Sequence, residues 1–165
     1  MIVSIVISTY NEEENVRNVV SFIKKNIRTA EVEVIISDGG SEDNTLEEAR
    51  KAGAEAVLSP AKGRSGQMNY GVSISKGDVL YFIHADGYPP STFVNEIEKA
   101  IDQGFDLGRY CTKFNFKKSI LKLNAWSTRF DLFICMGGDQ TLFIKRSLFN
   151  LCNGFREDMK IMEEI

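Results

Sequence analysis

Asp86 ends an apolar run in the segment YFIHADGYPP. A lone carboxylate in such a place can ligate a hard divalent cation while diphosphate oxygens and waters complete an octahedron. The same residues are good turn chemistry, because Asp-Gly followed by Pro-Pro favours a reversal of the chain. Asp38, in IISDGGSEDNT, also follows an apolar run directly and can accept hydrogen bonds from a base or a ribose. There too a second reading stands beside the first: Ser41 or Asp43 can cap a helix and Gly39-Gly40 can supply positive φ. Arg64 and Asn69, in KGRSGQMNYG, offer a cation and an amide that can reach a phosphate or a base, and equally fit a solvated arginine and an asparagine on a polar helix face. Glu163 and Glu164, in MKIMEEI, can provide a general base, although paired glutamates are also the ordinary content of a solvated helix face.

These residues need a scaffold, and the hydrophobic pattern supplies one. Ile2 to Ile7 is an almost unbroken β-branched run that breaks into STYNEEEN, as a buried central strand ending in a loop does. Val16, Val19, Val20, Ile23 and Ile27 recur at helical spacing and predict a helix over Glu12 to Ile27, with Glu12, Glu13 and Glu14 at the positive end of its dipole. Further strands are expected at Val32 to Ser37, Ala56 to Ser59 and Val79 to Ile83, and helices at Thr45 to Ala52, Arg64 to Ser75 and Ser91 to Gln103, the last capped by Ser91. Beyond Asp106 the pattern weakens: Arg109 to Phe116 alternates like a half-exposed strand, Ile120 to Phe133 suits an apolar-rich helix, and Thr141 to Ile144 suits a strand entering a short helix. Short apolar strands alternating with helices predict βαβ crossovers and a mostly parallel, doubly wound sheet. Ligands bind such sheets beyond the carboxyl ends of the strands, where STYNE, DGGS and HADG all fall.

Composition narrows the function. The 165 residues suit one domain, 1–165, with a nucleotide half over 1–104 and a second half over 105–165. Twenty Lys and Arg against 23 Asp and Glu give a net charge of −3, without the broad positive field that nucleic-acid binding requires. No apolar stretch is long enough to cross a bilayer and the opening MIVSIVIST lacks signal-peptide features, so a cytoplasmic location is expected. Cys111, Cys135 and Cys152 are expected to be reduced and mostly buried, because their number and spacing suggest neither disulfides nor a zinc site. Trp126, Phe130, Leu132, Phe133 and Ile134 beside Lys117, Lys118, Lys122 and Arg129 fit either a core helix with solvated lysines or a peripheral membrane contact at the inner face. Neither GxxxxGK[ST] nor GxGxxG after the first strand is present, so a phosphorylated ligand would be held through a bridging cation rather than a tight backbone cradle.

Taken in order, STYNEEENV, DGGSEDNT, HADG and GGDQTLFIKRSLFNLCNGF followed by MEE resemble the motifs of family 2 glycosyltransferases across essentially the whole chain. The resemblance implies the GT-A fold, a Rossmann-like α/β architecture with a mostly parallel sheet flanked by helices. It implies metal-assisted, inverting transfer of a sugar from a nucleotide-diphosphate donor, a UDP-sugar foremost, to an acceptor hydroxyl; the acceptor is left open between a lipid-linked one, which the apolar and basic residues from 117 to 134 would suit, and a saccharide. Ser8, Tyr10 and Glu12 would line the base and ribose pocket, Asp38 would bond the base, Arg64 would approach the base or diphosphate, and Asp86 would ligate Mg or Mn. His84 stands where the family usually has an acidic residue, so imidazole would take over that contact or the contact would be lost. Glu164 falls at the catalytic base, usually an aspartate, with Glu163 beside it. Relatives continue with further helices after this motif, so the acceptor-side half is expected to be truncated at Ile165. Two other readings remain open, a catalytically weak nucleotide-sugar binding module and a sugar-phosphate nucleotidyltransferase. A homodimer is compatible with all of them.

Overall fold

The computed structural model describes residues 1–27, 32–110 and 141–158. The elements follow in the order β1 (Val3–Thr9), α1 (Glu13–Asn26), β2 (Val32–Asp38), α2 (Thr45–Lys51), β3 (Glu55–Leu58), α3 (Arg64–Ile74), β4 (Val79–His84), α4 (Phe93–Asp102), β5 (Leu107–Arg109), β6 (Leu142–Lys145) and α5 (Arg146–Leu151). The strands form one sheet in the order β3-β2-β1-β4-β6-β5. The first four are mutually parallel, and β6 runs antiparallel to both β4 and β5.

Alternate residues of the central strands enter two different cores, which explains their unbroken apolar runs. Ile5 and Ile7 of β1 and Tyr81 and Ile83 of β4 pack with Val16, Val19, Val20 and Ile23 of α1 and with Phe93 and Ile97 of α4. Val6, Leu80 and Phe82 face the other way onto Met68 and Val72 of α3 and Phe149 of α5. Phe155 closes that second core, with its ring 4.8 Å from Phe82 and 5.4 Å from Phe149.

Helix α3 lies against β1 at Gly71, where an added Cβ would come within 2.5 Å of Val6 Cγ1 and 3.5 Å of Ser37 Cβ. Gly71→Ala is therefore expected to lower stability by about 1–3 kcal/mol, the usual cost of overpacking a closed core, as read from denaturant unfolding. At the far end of α3, the Arg146 guanidinium donates to the carbonyls of Gly77 (2.6 Å) and Val72 (3.1 Å) and to Ser75 Oγ (2.6 Å). It thereby closes the carbonyl end of the helix and ties it to the β6–α5 junction.

Several expected boundaries shift. Strands β1, β2 and β4 run on to Thr9, Asp38 and His84, so residues expected in loops complete the ladders. Helix α4 starts at Phe93 with Thr92 at the N-cap, and the exposed Ser91 lies outside it; Thr92 Oγ1 bonds Glu96 Oε1 at 2.5 Å instead of capping a backbone N–H. Of the strand expected from Arg109 to Phe116, only Arg109 and Tyr110 are among the described residues: Arg109 ends β5, which begins earlier than expected at Leu107, and Tyr110 lies outside it. Cys152 is exposed, contrary to the expectation of buried thiols, because it sits just past the short α5. Cys111, Cys135, the Ile120–Phe133 helix, the aromatic and basic residues between 117 and 134, and Glu163 and Glu164 all lie outside the described residues.

Candidate functional site

The parallel register brings the carboxyl ends of three strands level: Thr9 pairs with Asp38 and Ser8 with both Ser37 and His84. Beyond this edge opens a cleft of about 710 Å³. Its walls come from the β1–α1 segment (Ser8, Thr9, Tyr10, Glu12), the β2–α2 loop (Gly39, Gly40, Glu42), the entry to α3 (Lys62, Gly63, Arg64, Gln67) and the end of β4 (His84, Ala85, Asp86).

The first two loops are stitched to each other. Asn11 has φ +53°, a conformation that asparagine tolerates better than most side chains. Its backbone N–H donates to Ser41 Oγ at 2.8 Å, and its side-chain carbonyl accepts from the Glu42 N–H at 2.9 Å. Gly39 N–H reaches the Thr9 carbonyl at 2.9 Å, and Glu12 N–H reaches Thr45 Oγ1 at 2.9 Å. Asp43 accepts from the backbone N–H groups of Glu13 (3.2 Å) and Thr45 (3.0 Å), covering the starts of two helices, and from the Thr45 hydroxyl. Those bonds, the Thr45 hydroxyl first, hold its carboxyl below the usual range.

Asp38 is 0% exposed. Its Oδ1 accepts from the N–H groups of Gly40 (2.9 Å) and Ser41 (2.8 Å), and its Oδ2 accepts from Thr9 Oγ1 (3.0 Å) and Ser41 Oγ. A carboxylate has about four acceptor directions, so this one is filled from within the chain. The resemblance assigns Asp38 to the base; the structure places it beneath the cleft floor, holding the loop that forms that floor.

Ser8, Tyr10, Glu12, Arg64, His84 and Asp86 all line the cleft, as a shared site requires. Tyr10 is 58% exposed there, an aromatic face open to stacking. The Glu12 carboxylate accepts from Asn15 Nδ2 at 2.7 Å. Asp86 is exposed in a tight turn closed by the Gly87 N–H on the His84 carbonyl (3.0 Å), and its carboxylate has no hydrogen bond or ion pair among the described residues. The turn and the ligand readings of Asp86 therefore coexist. Asn69 does not join them. Its amide faces the C-terminal segment, donating to the Phe155 carbonyl (2.9 Å) and Glu157 Oε1 (2.8 Å) and accepting from the Phe155 N–H (2.9 Å).

Thr9, Glu42, Lys62 and Gln67 are cleft residues that the motifs did not single out. Lys62, two residues before Arg64 in KGRSG, was the legible one, since a cation pair before a helix suits an anion. Of Gly39 and Gly40, only Gly40 takes positive φ (+99°); Gly39 is required by a close approach described below. No three His, Cys, Asp or Glu side chains among the described residues form a closed metal cage, and no helix among them is long and apolar enough to cross a membrane.

The family model for glycosyl transferase family 2 matches residues 4–155. Among curated proteins, the dolichol-phosphate mannosyltransferase of Pyrococcus furiosus is 30% identical over 112 residues, covering 65% of this chain and 32% of that protein. The dolichyl-phosphate beta-glucosyltransferase of Mus musculus is 30% identical over 113 residues, covering 59% and 35%. The chain thus spans about a third of the length of these relatives. Among solved structures, Staphylococcus aureus TarS 1-349 superposes with TM-score 0.72 at 20% identity, covering 99% of this chain and 52% of that one. Glucosyl-3-phosphoglycerate synthase of Mycobacterium tuberculosis, crystallised with Mn2+, uridine diphosphate and glucosyl-3-phosphoglycerate, gives 0.68 at 18% identity over 90% and 58%. The fold is that of the GT-A glycosyltransferases.

Proposed function

Because this chain belongs to glycosyl transferase family 2, we propose that it moves a sugar from a nucleoside-diphosphate donor, foremost a UDP-sugar, to an acceptor with inversion at the anomeric carbon. The observation that carries the reading is the cleft itself, where an open aromatic face, two cations and a carboxylate with no partner among the described residues meet at the carboxyl edge of a parallel sheet. The Tyr10 ring stacks on the base. Lys62 and Arg64 attract the diphosphate and orient it along the entry to α3. Ser8 and Glu12 line the ribose side.

The donor set fits a divalent cation shared with substrate. One carboxylate, Asp86, with His84 two residues away and diphosphate oxygens and waters completing the shell, is the way magnesium or manganese binds to phosphorylated ligands. When bound, such a cation neutralises the charge that gathers on the leaving diphosphate. Glu164, with Glu163 beside it, takes the proton from the acceptor hydroxyl as that oxygen bonds to the anomeric carbon and the bond to the diphosphate breaks. One displacement of this kind inverts the centre. The relatives named for dolichol phosphate and dolichyl phosphate support a lipid-linked acceptor.

Titration of the chain with UDP and GDP, each with and without manganese, tests the donor half of this proposal. Metal-dependent binding of one diphosphate is the expected result. Failure of both to bind under either condition would remove the donor reading, and binding without transfer to any acceptor would favour a nucleotide-sugar binding module.

A further inference from the structure

Gln67 sits in the first turn of α3 and is only 6% exposed, yet its side chain belongs to the cleft wall. Its carboxamide occupies space that Gly39 leaves open: a Cβ at Gly39 would lie 1.8 Å from Gln67 Nε2. One bond engages the amide, a long one from Nε2 to the Thr9 carbonyl at 3.4 Å, beyond the usual N–H···O distance of about 2.7–3.2 Å. Among the described residues Oε1 and the second N–H have no partner. These open atoms are not among the buried side-chain atoms left without a partner, so they face the solvent of the cleft, where a ligand can take the place of water.

Resting on the donor reading above, we propose that Gln67 is a specificity-determining residue whose carboxamide reads the edge of the donor's nucleobase. The Thr9 carbonyl can only accept, so Nε2 is the atom turned towards it and the amide is not free to reverse. Its open edge therefore presents one acceptor and one donor in a fixed order. With the ribose and diphosphate fixing how a pyrimidine enters, uracil offers N3–H and O4 in the complementary order. Cytosine offers an N3 acceptor and an N4 amino donor, the reverse, and meets like against like. The close contact with Gly39 makes this a paired device: any side chain at 39 displaces the amide.

The test is titration of the wild type and of Gln67→Leu with UDP, CDP and inorganic pyrophosphate in manganese, with Gln67→Ala as a second variant and thermal unfolding as the check on folding. The wild type is expected to prefer UDP to CDP. In both variants UDP affinity should fall about tenfold, as expected for two lost hydrogen bonds, and the UDP:CDP ratio should collapse towards one. Pyrophosphate affinity should stay unchanged. A preserved UDP:CDP ratio in a folded variant overturns the role of Gln67 while leaving the donor reading intact. A wild type that binds no nucleoside diphosphate overturns both.

Discussion

Asp86→Asn is expected to remove manganese-dependent UDP binding and to reduce sugar transfer by roughly a hundredfold or more, the scale on which loss of a charge-stabilising group acts at a leaving diphosphate. Asparagine is chosen because it separates the two readings of HADG. It keeps the turn chemistry of aspartate, and the Gly87 N–H to His84 carbonyl bond involves only backbone, so the loop is preserved. What is lost is the anion. The residue is exposed and its carboxylate has no partner among the described residues. Thermal stability should therefore change by no more than about 0.5 kcal/mol, the usual range for such surface sites. UDP titrations with and without manganese, run beside thermal melts, decide the matter. Unchanged metal-dependent affinity would return Asp86 to the role of a turn residue and move the cation to another cleft residue.

Three of the four parallel strands were legible because a strand buried on both faces is apolar almost throughout, as Ile2–Ile7, Val32–Ser37 and Val79–Ile83 are but for Ser4, Glu33 and Ser37. Their last residues were not. Thr9, Asp38 and His84 look like loop because they are polar, but a cleft at a strand's end needs polar groups held in ladder geometry, so local composition and hydrogen bonding part company there. The β5–β6 pairing had no local signal either, since Gly108 meets Phe143 and Arg109 meets Leu142 across more than thirty residues. The closure of α3 by Arg146 is hidden for the same reason: a guanidinium after a strand reads as surface charge until the fold brings three acceptors to it.

Side-chain type was a good guide to the cleft where the residue projects from a strand end, as with Tyr10 and Asp86, and a poor one on α3. Arg64 and Asn69 are both polar residues of one helix, but five positions carry the second onto another face, where Phe155 and Glu157 occupy its amide. Gln67 was overlooked because a glutamine in a helix normally faces water. Its burial follows from the missing side chain at Gly39, a complementarity between residues 28 positions apart that no periodicity encodes.

Asp38→Ala should act on the same cleft by an opposite route, and the contrast with Asp86 tests how the site is built. The substitution leaves two backbone N–H groups, at Gly40 and Ser41, and the hydroxyls of Thr9 and Ser41 without their common acceptor. The hydroxyls can rotate to other partners, but the two N–H groups are fixed by the loop. Stability is expected to fall by about 3 kcal/mol, in line with removing a hydrogen-bonded charge from a buried network. For a chain of this size that corresponds to a drop in Tm of about 10 °C. Asp38→Asn should cost less, because its carbonyl oxygen can keep both N–H bonds while the amide nitrogen donates to the two hydroxyls. UDP affinity should decline in step with stability across the pair, since the loop of Gly39 and Gly40 is the cleft floor. A direct contact between Asp38 and the base would instead weaken UDP binding in the asparagine variant with Tm unmoved. Thermal melts and UDP titrations on the two variants distinguish these outcomes, and an alanine variant that melts within a degree or two of wild type would show that the carboxylate does not hold the loop.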